Sequence, residues 1–427
     1  VVLWVWEFTL PDRLSFLPEM NCYSLPANER EYYRLAHAHR TVLNRLAYSH
    51  AGKVHEGCAP AWDGEGLDWS AWDRRFGPYL DGSAFADLPR SGVPLESFYL
   101  PLHENWPSPM EGNYNGDYWA DRAFPPEYRR AFVEVSRQTA DHFQERGWQQ
   151  TIFHCYLNNK VNFKRNGWSR GSSPWLLDEP ANFQDFWALR WFGEAFHEGV
   201  GKAIGSRDAG AKLCFRGDIS RPQWQRDSLD HVLDYNVVGG GAFRQYHRRV
   251  IDWKERFGQI VVDYGSANAV EQSNMQPVGW CLDSWTLSSD GVLPWQTVGN
   301  DDSWKRADRL SLFYPGHVVG QEEPVPSIRL KAFRRGQQDA EYLTLLAQAS
   351  GEPRWSLGRA VRQELGLAAE HRGTDTGAEE DAGAMHYADL SPQDVWALRI
   401  RVARAISALR PEPKRQLVDL RTPRRDP

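Results

Sequence analysis

The chain has 427 residues, 41% of them apolar, which is enough for a sizeable core in one large domain or two ordinary ones. Its 50 basic and 56 acidic residues are mixed along the sequence and leave a net charge of -6, so neither nucleic-acid binding nor membrane insertion is predicted. The five cysteines form no C-x-x-C pair, and we expect no metal ion and no organic cofactor. The oligomeric state is not predicted.

Short apolar runs alternate with amphipathic helical patterns along most of the chain. Eight runs of strand length occupy residues 14–21, 44–50, 96–105, 151–159, 211–218, 234–241, 259–265 and 290–296. Helical patterns occupy residues 29–44, 126–146, 183–203, 223–233, 243–257 and 327–349. Eight repeats of strand and crossover predict an α/β protein with a TIM-like (β/α)8 barrel over residues 12–350.

The two ends of the chain do not fit the barrel repeat. The opening stretch VVLWVWEFTLP, residues 1–11, is predicted to be the last strand of a preceding β domain or a linker strand. Residues 351–427 are predicted to form a helical extension with a mobile acidic segment, an amphipathic helix at 391–409 and a tail. Because the sequence begins with Val1 and shows no leader, we expect its natural N-terminus to be missing and predict no compartment.

Aromatic residues are unusually frequent, with 20 Trp, 16 Tyr and 19 Phe. Many fall in segments rich in glycine and small polar residues, such as HENWPSP and NYNGDYWAD. Such loops suit a ligand with flat apolar faces and many hydroxyl groups, which is a sugar. The alternative is that these rings pin long loops to the body of the protein.

Two adjacent carboxylates, Asp178 and Glu179, stand before Pro180 between the fourth run and a strong helical pattern. In a barrel of parallel strands, the loops at the carboxyl ends carry the chemistry. An acidic pair before proline is also a common helix start, because carboxylates favour the positive end of the helix dipole. By itself the motif leaves both interpretations open.

The adjacency of the two carboxylates restricts the mechanism. In an extended segment they point to opposite sides, whereas conventional glycosidases hold their carboxyl groups about 5 to 5.5 Å or about 6.5 to 9.5 Å apart across the scissile bond. A neighbouring pair suits a reaction in which the carbonyl oxygen of the substrate's own 2-acetamido group attacks the anomeric carbon. One carboxylate would orient that group, and the other would act as acid and base.

Other polar and aromatic residues at strand ends are candidates for sugar contacts, with core packing or support of the site as the alternative. Glu104, in PLHENWP, is predicted to bind a hydroxyl group, to act as a second acid, or to pair with His103 in the loop. The remaining candidates for hydroxyl contacts are Asn158, Asn159, Lys160, Arg216, Asp218, Asp263 and Tyr264, and those for stacking are Trp280, Trp285 and Trp295.

A resemblance to a known family follows from a different stretch. SIRLKAFRRGQQDAEYLTLL, residues 327–346, resembles the S-x-R-L-E-x-x-R-x-G-x-x-D-x-E-Y-L signature of the catalytic domain of glycoside hydrolase family 123. LFYPG at 312–316, the DEP motif and VVLWVWEFTLP are similar to the same family, so the resemblance spans about residues 1–349. The charged residues of the signature are predicted to tie its helix to the barrel: Arg329, Arg334, Asp339 and Glu341.

The resemblance implies a (β/α)8 barrel after an N-terminal β-sandwich, and a β-N-acetylgalactosaminidase-like retaining mechanism. It implies that Asp178 orients the acetamido group and that Glu179 is the acid/base. The predicted function is removal of a β-linked 2-acetamido sugar, GalNAc before GlcNAc, from a glycan or glycoside substrate. A long insertion at 158–174 and the further carboxylate Glu104 depart from the family pattern and leave two alternatives: a glycosidase for a non-acetamido sugar using Glu104 with Glu179, and an inactive glycan-binding barrel.

Overall fold

Eight parallel strands curl into a nearly closed barrel. The computed structural model describes residues 5–49, 52–159, 168, 173–201, 212–367, 369–371, 385–387 and 390–409. The barrel strands are β1 (Leu17–Cys22), β2 (Val42–Arg45), β3 (Ser97–Tyr99), β4 (Ile152–Tyr156), β5 (Lys212–Asp218), β6 (Tyr235–Gly239), β7 (Ile260–Gly265) and β8 (Gly291–Pro294). Their order is β2-β1-β8-β7-β6-β5-β4-β3, and each strand overlaps one predicted run, so the predicted α/β barrel is confirmed. The second strand overlaps its run only at Asn44 and Arg45, because the helix predicted over 29–44 ends at Ala38.

Helices surround the barrel and extend it at the C-terminal side. They are α1 (Glu29–Ala38), α2 (Ser70–Leu80), α3 (Ala120–Ala123), α4 (Pro126–Glu145), α5 (Phe183–Gly199), α6 (Pro222–Gln225), α7 (Gly240–Gln245), α8 (His247–Phe257), α9 (Met275–Thr286), α10 (Ile328–Ser350), α11 (Arg354–Leu365) and α12 (Pro392–Leu409). The prediction of a helix over 223–233 is wrong beyond Gln225, where α6 ends. The single helix predicted over 243–257 is replaced by two helices, α7 and α8. No described helix is long and apolar enough to cross a bilayer.

The strands bury both faces, and the two faces differ in chemistry. Outward-facing side chains such as Phe98, Phe153 and Phe215 pack against the helices in the main core. Inside the barrel, the β6–β8 side is apolar, with Val237 and Leu293 in a second cluster. Buried polar residues fill the opposite side of the interior: Glu19, Asn21, Asn44, Ser97, His154 and Arg216.

Side-chain hydrogen bonds connect β2 to β3, the two strands at the ends of the strand order. Asn44 Nδ2 donates to Glu19 Oε2 at 2.8 Å and to Ser97 Oγ at 3.0 Å. The Ser97 hydroxyl donates to the same Glu19 oxygen at 3.1 Å. A carboxyl group with no exposed surface requires such donors, because burial without hydrogen bonds is costly.

The prediction that charged residues tie the signature helix α10 to the barrel is confirmed for Glu341 and Arg329. Glu341 accepts hydrogen bonds from the Ser15 backbone N–H at 2.7 Å and the Ser15 hydroxyl at 2.6 Å. Arg329 donates to the Tyr314 hydroxyl at 2.6 Å. Asp339 pairs with Arg399 of α12 at 2.5 Å, whereas Arg334 is exposed.

The terminal segments differ from expectation. Residues 5–11 form no strand, and Phe8 packs edge-on against Tyr342 of α10, with ring centroids 5.4 Å apart. Within the segment expected to be mobile, Ala369–His371 and Met385–Tyr387 pair as an antiparallel ribbon, while residues 372–384 lie outside the described part. The division of the chain into three domains stays a prediction.

Replacing Asn44 by alanine should lower the free energy of unfolding by about 1–3 kcal/mol, because the buried Glu19 carboxyl group loses a donor that water cannot replace. Urea unfolding of the full chain measures this. Asn28→Ala removes an exposed bond of the same type, to the Glu322 carbonyl, and should cost about 0.5 kcal/mol or less. Equal losses in the two variants would contradict the role assigned to the Asn44 bonds.

Candidate active site

The DEP segment is fixed between the carboxyl ends of β4 and β5 by backbone hydrogen bonds. The Asn159 carbonyl, just after β4, accepts from the backbone N–H groups of Leu177 and Asp178, both at 3.0 Å. The Asp218 carbonyl, at the end of β5, accepts from the Glu179 N–H at 3.1 Å. The two carboxylates therefore lie at the end of the barrel where parallel-strand loops build sites.

Glu179 has a left-handed backbone, with φ at 57°. This conformation is rare for residues other than glycine and costs on the order of 1–3 kcal/mol unless its surroundings hold it. Here the Arg221 guanidinium donates to the Glu179 carbonyl at 3.0 Å, and the Ser220 hydroxyl donates to Glu179 Oε1 at 2.8 Å. The expectation of an extended segment is wrong at Glu179, and both Asp178 and Glu179 line one pocket.

The start of helix α5 does not depend on the pair. Asn182 caps the helix by accepting from the N–H groups of Gln184 and Asp185, at 3.1 and 3.2 Å. The Asp185 carboxylate in turn accepts from the Asn182 N–H at 3.0 Å, which completes a capping box. The helix-start interpretation of DEP is therefore wrong, since the acidic cap lies at Asp185.

The pocket is narrow and walled mainly by aromatic and charged side chains. Its lining residues come from the strands and the loops that follow them: Asn21, Tyr23, Leu46, Tyr99, Tyr156, Asp178, Glu179, Arg216, Asp218, Tyr264, Leu293 and Trp295. Tyr23 meets Trp295 edge-on, with ring centroids 4.9 Å apart. Burial, followed by the negative charge of Asp178, raises the pKa of Tyr23 well above its usual value, so its hydroxyl keeps its proton.

Arg216 organises the base of this pocket. Its guanidinium binds both oxygens of Asp218, at 2.7 and 2.9 Å, and lies over the rings of Tyr156 and Tyr99, 4.5 and 4.9 Å from their centroids. It also donates to the Tyr99 hydroxyl. A bidentate carboxylate and stacked rings are what a buried guanidinium requires.

Four of the predicted contact residues are in the pocket with the catalytic candidates: Arg216, Asp218, Tyr264 and Trp295. Asn158 and Asn159 are buried beside it, where Asn158 accepts from the Tyr156 hydroxyl at 3.3 Å. Lys160 lies outside the described residues.

Three predicted contact residues point away from the pocket. Asp263 is fully buried on the outer side of β7, where it accepts from Arg244 at 2.9 Å and from Trp280 Nε1 at 2.9 Å. Trp280 and Trp285 belong to α9, and their exposures of 0% and 1% leave no ring face for a sugar. Their assignment to a stacking surface is wrong. Asp263 points outward because successive side chains of a strand face opposite sides, so Tyr264 faces inward and the adjacent Asp263 faces outward.

Glu104 is not among the residues that line the pocket. Its side chain is 2% exposed, and its carbonyl accepts from the Tyr128 hydroxyl. Burial, with a smaller contribution from the charge of Asp178, raises the pKa of Glu104 to about 8, so this carboxyl group is neutral at neutral pH. His103 instead hydrogen-bonds to the Pro101 and Gly52 carbonyls, at 2.8 and 3.2 Å.

Sequence reasoning missed half of the lining residues: Asn21, Tyr23, Leu46, Tyr99, Tyr156 and Leu293. For the residues within strands the sequence does contain a signal, because side chains two positions apart on a strand face the same side. Tyr99 is two positions from the inward-facing Ser97, and Asn21 is two positions from the inward-facing Glu19. Among the described residues, no three His, Cys, Asp or Glu side chains are arranged to hold a metal ion.

The fold is similar to that of a family 123 glycoside hydrolase from Clostridium perfringens, with a TM-score of 0.50. The match covers 94% of this chain and 70% of that protein, at 13% sequence identity, and glycolipid glycan hydrolysis is described for that enzyme. No family profile matches the chain, and no curated protein matches its sequence. At this identity the comparison confirms the predicted resemblance for the fold.

Replacing Glu104 by glutamine should remove one pH dependence of stability. The folded protein holds the Glu104 proton up to a pKa of about 8, whereas the unfolded chain releases it near the ordinary value of 4.5. The stabilisation from this proton is therefore fully present below pH 4.5 and is lost as the pH rises to about 8. Between these two pH values the free energy of unfolding falls by about 1.4 kcal/mol per pH unit. Urea unfolding from pH 5 to 8 should show this slope in the wild type relative to Glu104→Gln.

The control for this experiment is Glu145→Gln, an exposed position at the end of α4. Its stability profile should run parallel to that of the wild type. A Glu104→Gln profile that also runs parallel to the wild type would show that Glu104 is ionised in the folded state.

Proposed function

We propose that this chain is a glycoside hydrolase that removes a β-linked 2-acetamido sugar, GalNAc before GlcNAc, by a substrate-assisted retaining mechanism. The observation that carries the proposal is the DEP geometry. Adjacent Asp178 and Glu179 line one pocket at the carboxyl ends of the strands, Glu179 has a left-handed backbone, and the following helix is capped by other residues. Strained residues of this kind cluster at functional sites.

Asp178 is the residue that orients the acetamido group in this proposal. It is 4% exposed, and its backbone is held by the Asn159 carbonyl. A buried carboxylate accepts the acetamido N–H and turns the carbonyl oxygen toward the anomeric carbon. As that oxygen attacks, positive charge develops on the forming oxazolinium ring, and the fixed negative charge stabilises it.

Glu179 is the acid and then the base. Its proton goes to the glycosidic oxygen as the bond to the leaving group breaks and the ring oxygen–carbon bond of the oxazolinium forms. In the second step Glu179 takes a proton from water, which opens the ring at the anomeric carbon and restores the acetamido group. Two inversions at one carbon give net retention. The Ser220 hydroxyl on Oε1 fixes the orientation of the carboxyl group.

The rest of the pocket, whose volume is about 20 Å³ in this structure, is lined by side chains of the kinds that contact sugars. Tyr23, Tyr264 and Trp295 supply apolar faces, while Asp218, held by Arg216, presents oxygens to which hydroxyl groups can donate. The fold is consistent with the same class, since a family 123 glycoside hydrolase shares it.

A glycosidase for a non-acetamido sugar is the second candidate. The raised pKa of Glu104 favours it, because a neutral carboxyl group is a general acid. Glu104 is absent from the pocket lining, however, so the pair at 178 and 179 carries the better-supported proposal.

A panel of 4-nitrophenyl β-glycosides tests the substrate class. Turnover is expected for the GalNAc and GlcNAc glycosides, and not for the matched galactoside and glucoside, because only the acetamido sugars carry the nucleophile. A thiazoline mimic of the cyclised intermediate should inhibit competitively. Turnover of the galactoside or glucoside without thiazoline inhibition would favour the second candidate, and glycan binding without any turnover would favour a binding protein.

Glu179→Gln should lower kcat by about 10²- to 10⁴-fold on a substrate with an alkyl or sugar leaving group. The loss should be smaller on a 4-nitrophenyl glycoside, whose leaving group needs less protonation. Asp178→Asn should slow both substrates to a similar extent, since its role in orienting and stabilising the attacking acetamido group does not depend on how much protonation the leaving group needs. Glu145→Gln, at the opposite end of the barrel, is the matched control and should retain wild-type rates. Equal losses on both substrates for Glu179→Gln would exclude it as the acid.

A further inference from the structure

A guanidinium–indole pair lies beside Glu179, in the loop that follows β5. The guanidinium carbon of Arg221 is 5.5 Å from the centre of the Trp224 ring. The same guanidinium donates to the Glu179 carbonyl at 3.0 Å. A single side chain therefore separates the indole ring of Trp224 from the residue proposed as the acid and base.

Both side chains of the pair are accessible. Trp224 is 49% exposed, whereas tryptophan is highly buried on average. The bond to Glu179 uses one of the five N–H donors of the Arg221 guanidinium. Among the described residues Arg221 has no carboxylate partner, and none of its side-chain nitrogen atoms is buried without a partner. The remaining donors therefore face solvent and are available to a ligand.

The loop that carries the pair is fixed at both ends. Ile219 and Gln225 have no exposed surface, and the Ile219 N–H donates to the Val237 carbonyl of β6 at 2.6 Å. Between them, the Trp224 N–H donates to the Arg221 carbonyl at 3.0 Å. An ordered surface of this kind loses little entropy when it binds a ligand.

The pair lies outside the DEP pocket, on the side of Glu179. Glu179 lines the pocket, whereas neither Arg221 nor Trp224 does. Ser220, which precedes Arg221, donates to Glu179 Oε1 at 2.8 Å, so the carboxyl group is turned toward this loop. In the proposed mechanism that carboxyl group protonates the glycosidic oxygen, which stays with the leaving group. A sugar in the leaving group therefore begins beside Glu179 and can extend over the loop after β5.

The chemistry of the pair matches that of a sugar ring. The C–H groups on one face of a pyranose are apolar and pack against a flat aromatic ring. Its hydroxyl oxygens accept hydrogen bonds, and a guanidinium supplies several donors in one plane. The indole ring and the adjacent guanidinium of this loop provide both kinds of contact side by side.

We propose that Arg221 and Trp224 form a second sugar-binding subsite, in which the indole stacks on the leaving-group sugar and the guanidinium donates to its hydroxyl oxygens. This inference rests on the proposed function, because it adds a second sugar to the substrate of the same site. The preferred substrate is then a 2-acetamido sugar linked to another sugar, rather than one linked to a small alcohol.

Two substrates with similar leaving groups test the inference: a 2-acetamido sugar β-linked to a neutral hexose, and the methyl β-glycoside of the same 2-acetamido sugar. Both release an alcohol, but only the first carries a second ring. The wild type should show kcat/KM on the order of tenfold higher for the disaccharide, because only the disaccharide reaches the indole and the guanidinium. A methyl glycoside is a better reference than a nitrophenyl one, whose aromatic ring can itself stack on Trp224.

Trp224→Ala should bring the ratio of the two kcat/KM values close to one, mainly by raising KM for the disaccharide, and should leave turnover of the methyl glycoside unchanged. Trp224→Tyr retains a ring for the sugar and should keep most of the preference. Trp355→Ala is the matched control, because Trp355 is 59% exposed and its ring centre is also 5.5 Å from a guanidinium carbon, that of Arg359. Trp355 lies on α11, away from the site, and its variant should keep the wild-type ratio.

Equal losses on both substrates for Trp224→Ala would show that Trp224 supports Arg221 and Glu179 rather than a sugar, and would overturn the inference. Wild-type turnover without a preference for the disaccharide, or a preference that survives in Trp224→Ala, would also overturn it and leave the proposed function intact. No turnover of either substrate would instead overturn the proposed function, and the inference with it.

Discussion

The pocket depends on one ion pair inside the barrel. Arg216 is 1% exposed, and a guanidinium at that depth is tolerated only when it is paired and its donors are used. Asp218 supplies the pair, and the Tyr99 hydroxyl accepts a further bond before donating to Asn21 at 2.8 Å. Asn21 donates in turn to the Trp295 carbonyl at 2.8 Å. One chain of hydrogen bonds thus links β5, β3, β1 and the end of β8.

The same ion pair connects the barrel interior to the strained carboxylate. Asp218 uses its side chain on Arg216 and its carbonyl on the Glu179 N–H. Ser220 and Arg221, which follow in the same loop, hold the Glu179 carboxylate and carbonyl. The left-handed backbone is therefore fixed by the segment that ends β5, so the strain at Glu179 is offset by bonds that the barrel already orders.

Much of the fold was predictable because its signals are local. Continuous apolar runs mark strands buried on both faces, and charges spaced three or four apart on α10 predict an anchored helix, as Glu341 and Arg329 show. The aromatic loops were harder to interpret. Trp295 lines the pocket, whereas Trp175 is buried and donates to the Tyr118 carbonyl at 2.9 Å, which ties a loop down. Composition is the same in both cases, and only packing separates them.

The sequence by itself determined the barrel, the position of DEP after β4 and the anchoring role of the signature helix, because hydrophobic periodicity and chain order depend only on residues that are close together in the sequence. The tertiary structure alone decided which way each strand-end residue points: Tyr264 faces the pocket and Asp263 the helices. It also decided that Asp178 and Glu179 line one pocket and that Glu179 is left-handed, a conformation held by contacts from the loop after β5, which lies 41 and 42 residues further along the chain.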